Sequence, residues 1–381
     1  MALLVFALIL SVLILVHEFG HYIVAKKMGI KVEEFGLGIP PRIFGKQIGE
    51  TIYSLNWLPF GGFVKLEGED PEELLENPES GNDARSFQKK TPLQRGLVLS
   101  AGVFMNFMLA VTLFYVVLAN SSFKTSYIPL IFDYHFRFGR EEILGSVITA
   151  MQPGSAAEVS KMKVGEAIVE INGQPVYSVS DVRRILKGYQ GKQVDVFLKD
   201  TTLDKDNIRK VTAVPKADEN GDAVLGVYLS KAVQIDYSKG TNRLLAGFFH
   251  TYNVTAYSLN ALGQVIHVSY KNKTIEPVSE SVAGPVGIYN IVGGLIDYGG
   301  DRMLLNLLDF VGIMSASLAF INIMPFPALD GGRLAFVVYE GITKKKVKPT
   351  VELTIHKFGF FILIGFLVLV TVKDLFFSHF K

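Results

Sequence analysis

The chain has 381 residues, of which 49% are apolar and only 19% charged, and its mean hydropathy is +0.32. An average soluble domain carries about 25% charged residues, so this composition favours a membrane protein. Thirty-eight basic and 36 acidic residues give a net charge of +2, which offers no argument for nucleic-acid binding, and the absence of cysteine excludes disulfides, thiolate metal ligands and a thiol nucleophile.

Four apolar segments are long enough to cross a membrane as helices. They are residues 1–25, 96–120, 303–332 and 357–377, and the third ends in a Leu-Asp-Gly turn. A cleaved signal peptide does not fit the first segment, because it lacks a basic region before the apolar run and an A-x-A-like cleavage site. The sequence therefore predicts a protein with four transmembrane helices.

Basic residues predict the orientation of these helices. Lysine and arginine are concentrated near the membrane in residues 26–95 and 333–356, which the positive-inside rule places in the cytoplasm. Both termini are then expected on the outer side, together with the long segment between the second and third helices.

The cytoplasmic segment 26–95 divides into two parts. Thr51–Leu66 is apolar, aromatic and interrupted by Gly61-Gly62, which predicts a β-hairpin lying against or dipping into the membrane. Glu67–Lys90 is acidic and contains several prolines and glycines, which is typical of a solvated loop.

The outer segment 121–235 alternates strand and turn signals. Ala167–Gly173 reads as a strand that ends in Asn-Gly, the strongest hairpin dipeptide, and Ser178–Leu186 reads as a short helix. These signals predict one small α+β domain inserted between the second and third membrane helices. Residues 236–302 then form a linker with an amphipathic helix around Leu244–Val268.

A motif with metal-ligand spacing lies inside the first apolar segment. Residues 17–21 read His-Glu-Phe-Gly-His, the H-E-x-x-H pattern. Positions i and i+4 share one face of a helix, so His17 and His21 can bind a single Zn²⁺ while Glu18 reaches its water. Ionisable side chains are costly inside a membrane, which favours this interpretation over two buried histidines satisfied by neighbouring hydrogen bonds.

A catalytic zinc site needs a third protein ligand, and the best candidate is Asp330. Two prolines before Asp330 break the third helix, and two glycines after it permit a turn that aims a carboxylate inward, although a plain loop is the alternative. Asp309 is the rival ligand, but roughly 31 Å of helix separates it from Asp330. The remaining histidines have no partner at ligand spacing, and we expect no metal role for them: His135, His250, His267, His356 and His379.

Several motifs together resemble the bacterial site-2 proteases, zinc intramembrane proteases of the sigma-E regulator type. The matching segments are His17–His21, Gly61–Glu69, Asn106-Phe107, Pro153–Ala157, Ile171–Gly173, Gly284–Ile288 and Asn322–Gly332. The resemblance implies that His17, His21 and Asp330 bind one zinc ion per chain, that Glu18 is the general base and that Asn322 holds the substrate backbone. This chain departs from that type in having one PDZ-like domain rather than two in tandem.

The resemblance also implies partners and a location. Expected substrates are single-pass membrane proteins, such as anti-sigma factors already trimmed by an upstream exoplasmic protease, and signal-peptide remnants. The expected location is the bacterial inner membrane, with the active site near the cytoplasmic side.

Two substrate-contacting segments are predicted beside the zinc site. The predicted hairpin, with Gly61, Gly62 and Phe63, offers an edge to which an extended substrate could pair, although Gly61-Gly62 also suits an ordinary turn. Leu225-Gly226-Val227-Tyr228 has the form of a PDZ carboxylate-binding loop, and an ordinary core strand would show the same residues.

Two other functions are compatible with parts of the sequence. A catalytically inactive PDZ scaffold is disfavoured because H-E-x-x-H and Asp330 are both intact. A metal transporter using His17 and His21 is disfavoured because transporters usually show repeated halves, which this sequence lacks.

Overall fold

The computed structural model describes residues 1–77, 83–201, 208–218 and 221–377. The chain forms two compact units. The first combines Met1–Phe114 with the chain from Val265 onward, and the second is Tyr115–Gln264. The second unit is thus an insertion into the first.

Twelve α-helices lie within the described ranges. In chain order they are α1 (Ala2–Lys27), α2 (Pro71–Glu76), α3 (Pro92–Asn120), α4 (Ala156–Val159), α5 (Val179–Leu186), α6 (Thr241–Leu244), α7 (Ala246–Asn272), α8 (Glu276–Ser281), α9 (Pro285–Tyr298), α10 (Met303–Ile323), α11 (Asp330–Thr343) and α12 (Pro349–Phe377). Single 3₁₀ turns precede α3 at Phe87–Lys89 and α10 at Gly300–Arg302.

Eleven strands lie within the same ranges. They are β1 (Val32–Ile48), β2 (Thr51–Leu66), β3 (Ile128–Pro129), β4 (Arg140–Met151), β5 (Glu166–Ile171), β6 (Gln174–Pro175), β7 (Val194–Asp200), β8 (Ile208–Ala213), β9 (Lys216–Ala217), β10 (Ala223–Val224) and β11 (Val227–Asp236).

Four of the described helices are long and apolar enough to cross a membrane, as the sequence predicts: α1, α3, α10 with its preceding turn, and α12. Proline ends the third of them. Met324, which caps α10, is extended because the ring of Pro325 disfavours helical geometry in the residue before it. The chain then turns within a few residues and starts α11 at Asp330.

The predicted hairpin over Thr51–Leu66 is wrong in its pairing. These residues form the single strand β2, which pairs with β1, a strand that the sequence reading missed. Residues 34–37 lie opposite residues 62–65 and also opposite residues 52–55, and the hairpin turn is at Gly49-Glu50. Gly61-Gly62 therefore does not close a hairpin. It lies within a strand that bends around its partner.

Three segments predicted as loop or linker contain helix. The predicted solvated loop Glu67–Lys90 contains α2 and the 3₁₀ turn at Phe87–Lys89. The predicted cytoplasmic loop 333–356 is largely helical, because α11 occupies its first half and α12 begins at Pro349. The predicted linker 236–302 contains α6, α7, α8 and α9. Helix α7 lies where the sequence predicts an amphipathic helix, around Leu244–Val268.

The second unit is β-rich. Its largest sheet has the strand order β3-β11-β4-β5-β7-β8, with β6 pairing to β5. Asn172 and Gly173 both have positive φ and form the tight turn between β5 and β6, as their sequence predicts. Apolar side chains of β5, β7 and α5 share a core of aliphatic residues that includes Ile168, Leu186, Val196 and Leu198.

Candidate metal centre

Three potential metal ligands converge in the first unit. His17 and His21 project from one face of α1, and their Nε2 atoms are 3.2 Å apart. Asp330 Oδ2 lies 2.9 Å from His17 Nε2 and 3.3 Å from His21 Nε2. One ligand atom from each residue falls within 4.8 Å of the others. Both histidines are 7% exposed, whereas the Asp330 side chain is 24% exposed, so the cluster is open on the Asp330 side.

This donor set suits zinc. Ligand atoms about 2.0–2.1 Å from a tetrahedral zinc ion are roughly 3.3 Å apart, close to the separations seen here. Two imidazoles and one carboxylate are ligands that zinc accepts, and three protein ligands leave a fourth position open, as catalytic sites require. The residues present therefore fit a catalytic zinc ion.

Hydrogen bonds on the other ring nitrogens orient both histidines. His21 Nδ1 lies 2.8 Å from the carbonyl oxygen of Val98, an acceptor, so Nδ1 carries the proton and Nε2 keeps its lone pair for a metal. His17 Nδ1 lies 3.4 Å from the side-chain amide of Asn106, whose Oδ1 is buried without a partner in the described residues. Rotating that amide by half a turn lets Oδ1 accept from His17 Nδ1–H and satisfies both groups.

The close crossing of α1 and α3 depends on two glycines. A Cβ on Gly20 would lie 2.4 Å from the carbonyl oxygen of Ala101, and a Cβ on Gly102 would lie 2.4 Å from His21 Nε2 and 2.7 Å from His17 Nε2. Small residues let membrane helices approach in this way. Neither role was predicted from the sequence, although a glycine inside an apolar helix is itself a signal of close helix approach.

The turn after α10 positions Asp330. Cβ atoms on Gly331 and Gly332 would lie 2.1 Å and 2.4 Å from backbone oxygens of Met324 and Phe326, so this tight turn has no room for side chains. Its backbone is also held from α12, because Ala328 N–H donates to His356 Nδ1 at 2.8 Å. No metal role is predicted for His356 from the sequence. Its contact is to the backbone next to Asp330 rather than to a metal.

Glu18 points toward strand β2. The N–H of Val64 donates to Glu18 Oε2 at 3.1 Å. A Cβ on Gly62 would lie 3.9 Å from Glu18 Cγ. A Cβ on Gly61 would lie 3.4 Å from the side chain of Ile14, which is also in α1. The Gly61–Phe63 segment predicted to bind substrate thus runs beside the H-E-x-x-H face of α1.

The other predicted site residues lie outside the three-residue cluster. Asn322 is half-buried in the last turn of α10, and its side chain makes no hydrogen bond to the residues that the structure describes. Asp309 lies in the first half of α10 and is not among the clustered ligands, whereas Asp330 is.

The predicted carboxylate loop lies in the β-rich unit. Leu225 and Gly226 precede β11, and Gly226 has a φ of +72°. Leu225–Tyr228 line a cavity of about 720 Å³ together with Val182 and Leu186 of α5.

A protein-family model and several curated proteins match this chain along nearly its whole length. Peptidase family M50 matches residues 5–366. A "putative zinc metalloprotease" of Clostridium perfringens is 34% identical over 374 residues, covering 98% of each chain. Zinc metalloprotease RasP of Shouchella clausii is 26% identical over 449 aligned positions and also covers 98% of each chain.

Among solved structures, the PDZ domain of the SdrC-like protein of Listeria monocytogenes covers 23% of this chain and 87% of its own length. The identity is 18% and the TM-score 0.20.

Proposed function

Because this chain belongs to peptidase family M50, and is therefore a zinc metallopeptidase with several membrane helices, we propose that it cleaves peptide bonds inside the membrane. The proposed substrates are single-span membrane proteins, including anti-sigma factors already trimmed outside and signal-peptide remnants. The observation that carries the proposal is the convergence of His17, His21 and Asp330 within one apolar helical unit.

We assign one zinc ion per chain to His17, His21 and Asp330. Zinc held there would supply Lewis-acid polarisation of the scissile carbonyl and a water activated near neutral pH. Val98 and Asn106 hold the two imidazoles in the tautomer that directs Nε2 at the ion.

Glu18 is the proposed general base. Its carboxylate accepts the proton of the attacking water and returns it to the leaving amine. The Val64 N–H donor holds one carboxylate oxygen beside β2, so the base lies next to the strand on which we place the substrate.

The strand segment Gly61–Phe63 is the proposed substrate edge. A helical substrate hides its amides in internal hydrogen bonds, so it must become extended before attack, and pairing with a strand stabilises the extended form. Asn322, with no hydrogen bond of its own among the described residues, is free to bind the substrate backbone.

The β-rich unit is proposed to select substrates by size. It contributes no residue to the clustered ligands, and we assign it a PDZ-like role on the outer side of the bacterial inner membrane, with the active site near the cytoplasmic side. The cavity lined by Leu225–Tyr228 is its candidate site for a peptide C-terminus.

Purified full-length protein in vesicles, mixed with a model transmembrane peptide, tests the function. Glu18→Gln should retain zinc but lose cleavage by a factor of about 100 or more, because the amide cannot accept the proton of water. Asp330→Asn should lose zinc and activity, and Asp309→Asn should keep both. Normal turnover by Glu18→Gln would remove the base from the mechanism, and zinc loss in Asp309→Asn alone would show that the third ligand is misassigned. Normal zinc binding without any cleavage by the unaltered chain would favour the inactive scaffold.

A further inference from the structure

Two separate chain segments assemble a lysine-rich surface in the first unit. Lys89 and Lys90 precede α3, and Lys344, Lys345, Lys346 and Lys348 lie between α11 and α12. The two segments touch, because Lys346 Nζ donates to the carbonyl oxygen of Gln88 at 3.0 Å. A Cβ on Gly341 would lie 3.7 Å from Pro92, which places the end of α11 beside the start of α3. We call these six residues the lysine surface.

The positive charge of the lysine surface is not neutralised within the described part of the chain. None of its six ammonium groups lies within ion-pair distance of a described carboxylate. Of the neighbouring acids, Glu340 pairs with Arg95 and Glu69 pairs with Arg333. Glu352 lines the same cavity as Lys346 but lies beyond ion-pair distance of every lysine of the surface. The surface therefore offers several unpaired cations to an anionic partner.

Exposed apolar side chains border the lysine surface. Val338, Tyr339 and Ile342 of α11 are 51%, 48% and 77% exposed, and Leu93 in the first turn of α3 is 75% exposed. Positions 338, 339 and 342 share one face of the helix. A water-facing helix would gain nothing from such a face, whereas the boundary between lipid headgroups and acyl chains accommodates it.

The position of the surface identifies its partner. The two candidate membrane spans α3 and α12 begin at Pro92 and Pro349, each directly after one of the lysine segments. We propose that the lysines lie at the level of the phosphate groups, with the apolar side chains next to the acyl chains, and that the lysine surface binds the headgroups of anionic phospholipids.

Lipid binding at the lysine surface would affect the proposed metal ligand Asp330 through α11. Asp330 is the first residue of that helix and Lys344 caps its last turn, so about 20 Å of rigid helix joins the ligand to the lysine surface. Lipid bound at one end restrains the carboxylate at the other. This consequence rests on the proposed function, whereas lipid binding itself does not.

Lipid binding is tested without reference to activity. Full-length protein in detergent is mixed with phosphatidylglycerol or phosphatidylcholine, re-purified, and the retained lipid is counted by mass spectrometry. The test variant K344Q/K345Q/K348Q keeps the Lys346 contact. The control K187Q/K192Q/K239Q removes the same charge from exposed lysines of the β-rich unit. We expect selective retention of phosphatidylglycerol, weakened about tenfold or more in the test variant only.

Three results would overturn the proposal. They are equal retention of the two lipids, equal losses in test and control variants, or displacement of phosphatidylglycerol by an acidic peptide at lower concentration, which would assign the surface to a protein partner. Glu18→Gln should bind phosphatidylglycerol normally while failing to cleave, so lipid binding and proteolysis can fail separately. In phosphatidylcholine vesicles, adding phosphatidylglycerol should accelerate cleavage by the unaltered chain and not by the test variant.

Discussion

In the β-rich unit the helix caps and tight turns are held by nearby side chains, whereas the candidate metal centre joins residues 313 positions apart. Ser178 caps α5 by accepting from the N–H of Asp181, three residues on. His17 meets Asp330 through packing between helices that are far apart in the chain. Local signals therefore specify the caps and turns of the β-rich unit. The candidate metal centre instead requires that helices approach so closely that a single added atom has no room.

The largest effect is expected where that approach is closest. Gly102→Ala places a methyl group 2.4 Å from His21 Nε2, so the histidines or α3 must shift. We expect loss of bound zinc and of proteolysis, measured by metal content and peptide cleavage. Gly365→Ala is the matched control, because a Cβ there meets nothing within 4 Å among the described residues. Full zinc occupancy in Gly102→Ala would refute the packing argument.

A smaller effect on zinc binding is expected at Asn106, which contacts the proposed ligand His17. Asn106→Ala removes the acceptor of His17 Nδ1–H, and losing such a partner typically weakens metal binding 10–100-fold. Asn106→Asp keeps an acceptor oxygen and should bind zinc more tightly than Asn106→Ala. Competition with a chelator measures both affinities. Equal affinities for the two variants would mean that Asn106 only fills space.

The sequence predicted the three residues that cluster at the candidate metal centre but not the residues that support them. His17, His21 and Asp330 could be chosen from residue type, helical spacing and proline and glycine signals, all of which are local. Gly20, Gly102 and Asn106 act across a helix crossing, and their roles depend on which faces meet. Strand β1 was missed for a related reason, since its partner β2 supplies the pattern that makes it a strand.

Asp374 provides a test of whether a contact between distant helices also stabilises the fold away from the metal centre. Its Oδ2 accepts from the N–H groups of Gly284 and Gly287, each at 2.8 Å, and so caps α9 from α12. Asp374→Ala should lower the free energy of unfolding by about 1–2 kcal/mol, as for loss of a helix cap, and leave zinc content unchanged. Thermal unfolding in detergent measures this, with Asp297→Ala, an exposed carboxylate of α9, as control. Loss of zinc in Asp374→Ala would contradict this prediction, because it would show that the position of α9 affects the metal centre.

No effect on the metal centre is expected from a change in the β-rich unit, at the turn between β5 and β6. Asn172 has a φ of +49°, and its Oδ1 accepts from the N–H of Asp195 at 2.8 Å. Asn172→Ala loses that bond and puts alanine in a left-handed conformation, which together should cost about 1–2 kcal/mol locally. Hydrogen exchange of β5 and β7 should accelerate, whereas Asn172→Asp, which keeps the acceptor, should change it less. Zinc content and cleavage of a short peptide should not change, because no residue of this turn reaches the ligand cluster. A loss of bound zinc in Asn172→Ala would mean that the two units fold as one, and the contrast between local and long-range support would fail.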